Sequence, residues 1–364
     1  MTSTLFSPIT LRSTEFRNRL WVPALCQYSV DKRDGVPTPW HLVHLGSFAR
    51  GGAGAIITEA TAVVPEGRIS PYDLGIWNDE QRDAFRPIVD FVHTQGAKIG
   101  VQLAHAGRKA STPRSWDPQN GTLSEAEGGW PIVGPSAIAF DGYNPPRALT
   151  TGEISDITAA FVAAAVRTRQ AGFDFVELHA AHGYLIHQFL SPLSNERTDQ
   201  YGGSLENRAR VVLDIVRGIR EATGDEFPII VRFSATDWVE GSWNEHDTAT
   251  VAAWAQEAGA DFFDISTGGI AAAAQIPIGP GYQVPFAEVV REEGGVEAGA
   301  VGLIVTPQQA EDIVASGQAD VALVGREFLR DPHFALRAAS ELGVELDYYP
   351  QPYHRAHFHA PVPA

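Results

Sequence analysis

The chain has 364 residues, 44% of them hydrophobic, enough for one large barrel or two ordinary domains with a real core. It carries 27 basic against 44 acidic side chains, a formal net charge of −17 that opposes non-specific binding to nucleic acid or an anionic membrane. A single cysteine, Cys26, excludes an intrachain disulfide and fits a reducing, cytoplasmic setting. Met1 to Thr14 lacks the basic and apolar regions of a signal peptide, and no apolar run reaches membrane-spanning length.

Short β-branched or apolar runs alternate with helix-like stretches along the chain. The predicted strands are Leu20 to Ala24, Ala55 to Thr61, Lys98 to Leu103, Phe173 to Leu178, Pro228 to Phe233, Asp261 to Ser266, Val301 to Val305 and Asp320 to Val324. Between them the pattern predicts helices over Trp40 to Arg50, Asp79 to Gln95, Ile154 to Ala171, Ser204 to Thr223, Asp247 to Ala258 and Pro307 to Ser316. Gly51, Gly96, Gly172, Gly224, Gly259 and Gly317 read as helix stops, and Ser204 and Thr306-Pro307 as helix starts. Eight such units predict an α/β fold, a single (β/α)8 TIM barrel over residues 1–346 followed by a tail over 347–364. No Gly-rich loop follows the first strand, and Gly51-Gly52-Ala53-Gly54 precedes a strand, so neither is a dinucleotide fingerprint. The stretch Ala110 to Thr150, rich in Pro, Gly, Ser and Trp, is a long loop after the third strand, either a substrate wall or a solvated insertion with a small hairpin.

The C-terminal ends of barrel strands are where catalytic groups collect. There the sequence places Pro23, Ala24, Cys26 and Tyr28; Glu59 and Ala60; Gln102, His105, Arg108 and Lys109; His179, His182 and Tyr184; Arg232; and Ser266. His179-Ala180-Ala181-His182-Gly183-Tyr184 sets two imidazoles three residues apart, able to donate to one oxygen, with a phenol two residues on to deliver a proton. That set suits growth of negative charge on a carbonyl-type oxygen. Gly325-Arg326 after the eighth strand, with Gly302 in the seventh, reads as a barrel phosphate site. The histidine pair as metal ligands, in a barrel lyase or hydrolase, is an alternative, but Arg232 and Lys109 would crowd a divalent ion. A barrel that binds a phosphorylated ligand without catalysis is another.

Together these motifs resemble the Old Yellow Enzyme family of FMN-dependent ene-reductases, and within it the thermophilic-like, YqjM-like branch. The resemblance rests on Cys26-Gln27-Tyr28-Ser29, Gln102 to Lys109, His179 to His187, Phe189 to Asn195, Tyr201-Gly202-Gly203-Ser204 with Glu206-Asn207-Arg208, and Gly325-Arg326-Glu327. It implies non-covalent FMN, with NADPH or NADH as reductant in the same pocket, in a ping-pong cycle. Pro23, Ala24, Leu25, Cys26, Ala60 and Gln102 would contact the flavin, Arg232 would lie near N1 and C2=O, and Ser266 would join the cofactor site. Gly302, Gly325 and Arg326 would hold the phosphate. His179 and His182 would bind the oxygen of an α,β-unsaturated carbonyl or maleimide, hydride would pass from N5 to the β-carbon, and Tyr184 would protonate the α-carbon for trans addition of H2. Tyr28 and Lys109 would touch substrate. Cys26 would tune the flavin rather than act as nucleophile. Tyr353 and Arg355, in the tail, would reach a neighbouring subunit's site in a homodimer or a tetramer of dimers. The ending Ala356-His357-Phe358 departs from the Gly-Trp or Ala-Trp common there, and Leu25 stands where Met is frequent. Relatives that reduce dienoyl thioesters often carry an iron–sulfur domain, which one cysteine rules out.

Overall fold

The computed structural model describes residues 3–356. Eight parallel strands form the barrel: β1 (Leu20–Trp21), β2 (Ala55–Ala62), β3 (Lys98–Ala104), β4 (Phe175–Ala180), β5 (Ile229–Ser234), β6 (Phe262–Ser266), β7 (Ala298–Val301) and β8 (Val321–Leu323). Each pairs with the next in sequence from β2 to β8, and β8 pairs back onto β1. Val22, just past β1, closes the ring against β2: its N–H donates to Ala55 O and its carbonyl accepts from Ile57 N, both at 2.9 Å. The helices of the outer layer are α1 (Pro39–Arg50), α2 (Asp79–Thr94), α3 (Thr151–Ala171), α4 (Leu205–Thr223), α5 (Glu245–Ala258), α6 (Val284–Gly294), α7 (Pro307–Ala315) and α8 (Phe334–Glu341).

Side-chain alternation along the strands makes two cores. Outward residues such as Val176, Leu178, Val231 and Ile265 pack under the helices. Inward residues Trp21, Ile57, Phe175, Ile230, Phe262 and Leu323 fill the lower barrel. The antiparallel pair Ile9–Leu11 and Thr14–Phe16 plugs the bottom, with Phe16 against the Trp21 and Phe175 rings at 4.5 and 5.7 Å. The helix ends follow local chemistry. Ser204 and Thr306 cap α4 and α7 through their side chains, and Gly172 and Gly259 end α3 and α5 at φ 97° and 118°.

Three expectations need correction. The seventh strand is Ala298–Val301, not Val301 to Val305. Gly302 (φ 129°) and Leu303 (φ 51°) turn the chain out of the sheet, so Gly302 follows the strand instead of lying in it. Gly51 has φ −74°, and Gly52 (φ 95°) is the left-handed residue after α1. In the loop over residues 110–150 the short pairing of Val133–Gly134 with Arg147–Ala148 is parallel, not a hairpin. Helix α6 was not anticipated. The tail packs on its own barrel at the end opposite the histidines. Asn18 Nδ2 donates to Tyr348 Oη at 3.0 Å, Arg17 stacks on Tyr348, and Tyr353 lies near Arg50 and His333. The tail residues 357–364 lie outside the described residues. No described helix is long and apolar enough to cross a membrane.

Candidate active site

The inward alternation that fills the lower barrel with rings changes to polar residues one layer up. Gln102 on β3, Glu177 on β4, Arg232 on β5 and Asp264 on β6 form a buried belt. Gln102 Nε2 donates to Glu177 Oε1 at 2.6 Å, and Arg232 Nε lies 3.0 Å from Asp264 Oδ2 as an ion pair. His179 is two residues beyond Glu177 on the same face, inside β4 and not beyond its end, and Ser266 is two beyond Asp264.

Above the belt opens a cavity of about 300 Å³. Pro23, Ala24, Leu25, His182, Arg232, Ser266, Gly302, Gly325 and Arg326 all border it. Sequence reasoning had singled out each of these nine. It had not found Tyr282 or Gln283, which also line it. Gly302 must be glycine: beyond its positive φ, a Cβ would meet Gln283 Nε2 at 2.9 Å. Among the described residues Arg326 has no carboxylate within ion-pair reach; its charge acts on Tyr282 across the cavity. The cavity therefore has a cation at its floor, Arg232, and another at its rim.

The His179 and His182 rings stand edge to face, 5.1 Å apart, and Tyr184 lies 4.9 Å from His179. His182 Nε2 shares a 2.7 Å hydrogen bond with Ser266 Oγ, while His179 Nδ1 is buried without a partner. Burial first, then the Arg232 cation, holds both imidazoles well below their ordinary pKa, so they are neutral near pH 7. Burial, with Cys26 and Asp73 nearby, holds the Tyr184 hydroxyl well above its ordinary value, so it keeps its proton. Burial likewise raises the Cys26 thiol, which is therefore not a thiolate.

His182 (φ 59°) and Gly183 (φ 74°) make a left-handed turn that needs support. Lys109 supplies it, donating from Nζ to His182 O at 2.8 Å and to Gly269 O at 2.9 Å. Its ammonium thereby clasps the loops after β4 and β6. The loops touch so closely that a Cβ on Gly183 would meet Gly269 O at 2.1 Å. From below, Gly183 N donates to His187 Nδ1, and His187 Nε2 meets Asp237 Oδ1 at 2.9 Å, both buried.

A second cavity, of about 320 Å³, lies beside Tyr184. Tyr28, Ile69, Lys109 and Tyr184 border it on one side and Arg114, Asn120 and Tyr143 of the long loop on the other, so that loop is a cavity wall. Tyr28 is held at φ 48° by Glu59, whose Oε2 accepts from Gln27 N (2.7 Å) and Tyr28 N (3.3 Å). Cys26, Tyr28 and Tyr184 pack against one apolar cluster with Ala60. Tyr353 and Arg355 belong to neither cavity of their own chain; Arg355 is exposed at the far end of the barrel. Among the described residues no group of three or more His, Cys, Asp or Glu side chains converges as metal ligands would.

Residues 4–345 match the NADH:flavin oxidoreductase / NADH oxidase family. The chain is 46% identical over 355 residues to an NADPH dehydrogenase of Listeria monocytogenes, covering 97% of this chain and 99% of that protein. It superposes on the old yellow enzyme homologue of Zymomonas mobilis with a TM-score of 0.77, at 30% identity and 99% coverage of both chains. Morphinone reductase in complex with tetrahydroNAD matches with a TM-score of 0.76 at 29% identity, over 95% of this chain and 92% of that one.

Proposed function

The chain belongs to the NADH:flavin oxidoreductase / NADH oxidase family, FMN-dependent oxidoreductases of the Old Yellow Enzyme type, and from that premise we propose that it is an ene-reductase acting on activated alkenes such as enones and maleimides. The donor set fits FMN. Arg326 offers an unpaired guanidinium beside Gly302 and Gly325, suited to the phosphate. Arg232 and Gln102 offer a cation and an amide to the pyrimidine edge, and Pro23, Ala24, Leu25, Cys26 and Ala60 offer a mostly apolar wall to the ring. Bound FMN supplies hydride exchange between NAD(P)H and the alkene.

The chain's own residues then have separable tasks. Neutral His179 and His182 donate to the carbonyl oxygen, drawing electron density from the β-carbon. Each such donor is worth roughly 2.7–4 kcal/mol of barrier. His179 reaches this role with a buried, unpartnered nitrogen; His182 must exchange its Ser266 contact for substrate. Tyr184, protonated and beside His179, delivers the proton to the α-carbon from the face opposite the hydride. Tyr28 walls the alkene. Lys109 keeps His182 and Tyr184 in place. The observation that carries this reading is His182 on the wall of the Arg232 cavity, in ring contact with His179 and through it with Tyr184, both imidazoles neutral and the tyrosine protonated. The metal-dependent reading lacks a third ligand among the described residues and sets its pair beside the Arg232 and Lys109 cations.

An isotope experiment tests it. With cyclohexenone, deuterated nicotinamide should label the β-carbon and D2O the α-carbon, on opposite faces. Label at neither carbon, or no turnover of any activated alkene, contradicts the proposal. Arg355 and Tyr353 would serve a neighbouring copy, because they lie too far round the barrel to serve their own. Truncation after Leu346 should then weaken self-association or substrate binding, and no change in either would refute this.

A further inference from the structure

The belt beneath the cavity holds more carboxylate than its cation can balance. Glu177 on β4 and Asp264 on β6 are fully buried inward residues, and Arg232 on the strand between them is the one cation in contact with the pair among the described residues. Below them lie the apolar side chains of Phe175, Ile230 and Phe262, which offer no charge. Gln102 from β3 touches Glu177, and His179, His182 and Lys109 are the titratable groups gathered around Arg232 on the cavity side. Gln102 satisfies Glu177 Oε1. Among the described residues Glu177 Oε2 and both Asp264 oxygens accept no well-aligned hydrogen bond, Arg232 Nε reaching Asp264 Oδ2 only as an ion pair, and the two carboxyl groups are in hydrogen-bond contact with each other. Two carboxylates are both acceptors, and such a contact holds together only if a proton lies in it.

We propose that Glu177 and Asp264 share one proton at neutral pH, so that the belt is neutral overall with Arg232 as its positive end towards the cavity. Without that proton the belt would be anionic under the part of the flavin that gains negative charge on reduction. With it, Arg232 faces the cavity backed by a single carboxylate, and Gln102 keeps its amide N–H on Glu177 and its carbonyl free to face the ring. The direction of titration agrees: burial and the Asp264 charge push Glu177 up to about 8. The pair titrates as a unit, so the proton belongs to both residues. The electrostatic half of this inference rests on FMN as the cofactor; the shared proton does not.

Two measurements test it, and they fail separately. Infrared spectra of the FMN-free protein should contain, at pH 7, the carbonyl band of an un-ionised carboxylic acid that shifts on 13C-carboxyl labelling of glutamate, which leaves out the buried Asp73 acid. The band should disappear above about pH 9 and be missing in Glu177→Gln. No labelled band in the wild-type protein at pH 7, or one that survives in Glu177→Gln, overturns the shared proton whether or not FMN is the cofactor, and the wild-type spectrum decides even if the variant does not fold. In the FMN-loaded protein, Glu177→Gln replaces the shared proton with a fixed N–H. The wild-type midpoint potential should therefore bend downward relative to the variant's between pH 7 and 9. Parallel curves overturn the electrostatic half alone.

Discussion

Lys109→Met removes an ammonium while keeping nearly the same length of side chain, and separates a positioning role from a merely structural one. The change leaves the carbonyls of His182 and Gly269 without their donor, a cost of about 1–3 kcal/mol each, or about 2–6 kcal/mol together. Much of this is offset. Burial lowers the Lys109 pKa from 10.5 to about 8, and 10.5 − 8 at about 1.36 kcal/mol per unit returns about 3.4 kcal/mol when the charge is no longer buried. Global stability should therefore move by only about 1 kcal/mol, a few degrees in Tm at most. The local effect is not offset. The turn at His182 and Gly183 loses the tie that holds it against Gly269, so His182 and Tyr184 lose register with the substrate oxygen. Removing an oxyanion donor outright costs about 10²–10³ in rate; displacing one should cost about 10- to 100-fold. Rapid-mixing measurement of alkene reduction by pre-reduced enzyme, with thermal unfolding alongside, reads both quantities. A normal rate in the folded variant, or a rate loss no larger than the loss of folded protein, would refute the clasp.

Other consequences follow from the same geometry. Tyr184→Phe should slow the alkene half-reaction by about 10²-fold or more while flavin reduction by nicotinamide stays near normal; equal loss in both halves, seen in separate rapid-mixing experiments, would remove the proton-donor role. Arg326→Ala should weaken FMN binding by about 1.5–3 kcal/mol, roughly 10- to 100-fold, read by fluorescence titration of the FMN-free protein. The Glu177 acid has a folded value of about 8 against 4.5 unfolded, so folding takes up a proton between those values. Its contribution to stability should be greatest below about pH 4.5 and decline as pH rises to about 8, at no more than about 1.4 kcal/mol per unit. Glu177→Gln should flatten that decline in denaturant unfolding curves collected across the range.

Much of the architecture is legible in the sequence because barrel strands buried on both faces are dense in β-branched and aromatic residues. Seven of the eight strands announce themselves this way. The seventh does not: Ala298–Val301 is small because the barrel is crowded there, and the more apolar Val301 to Val305 mimics a strand while turning away. Helix α6 hides behind the Pro- and Gly-rich approach over residues 277–285, which reads as loop. The site is legible where a motif packs several functional types into few residues, as from His179 to Tyr184. The two acids of the buried belt were missed although their signal was present. Glu177 stands two before His179 and Asp264 two before Ser266, and a period of two puts each acid on its partner's inward face. What sequence cannot supply is which polar atoms meet. Lys109 reads as a substrate cation, and its hold on two loop carbonyls is not legible; His182 reads as a free donor, and its contact with Ser266 is not legible either.

The central claim is that a flavin in the cavity above Arg232 takes electrons from nicotinamide and gives them to an alkene held by the histidine pair. Anaerobic titration of the purified protein with NADPH, followed by one equivalent of an enone, tests this directly. The account predicts that the yellow absorbance bleaches at one NADPH per flavin and returns in full on adding the enone, with saturated ketone as product. A protein with no flavin band, or a bleached one that only oxygen and no activated alkene restores, would contradict it.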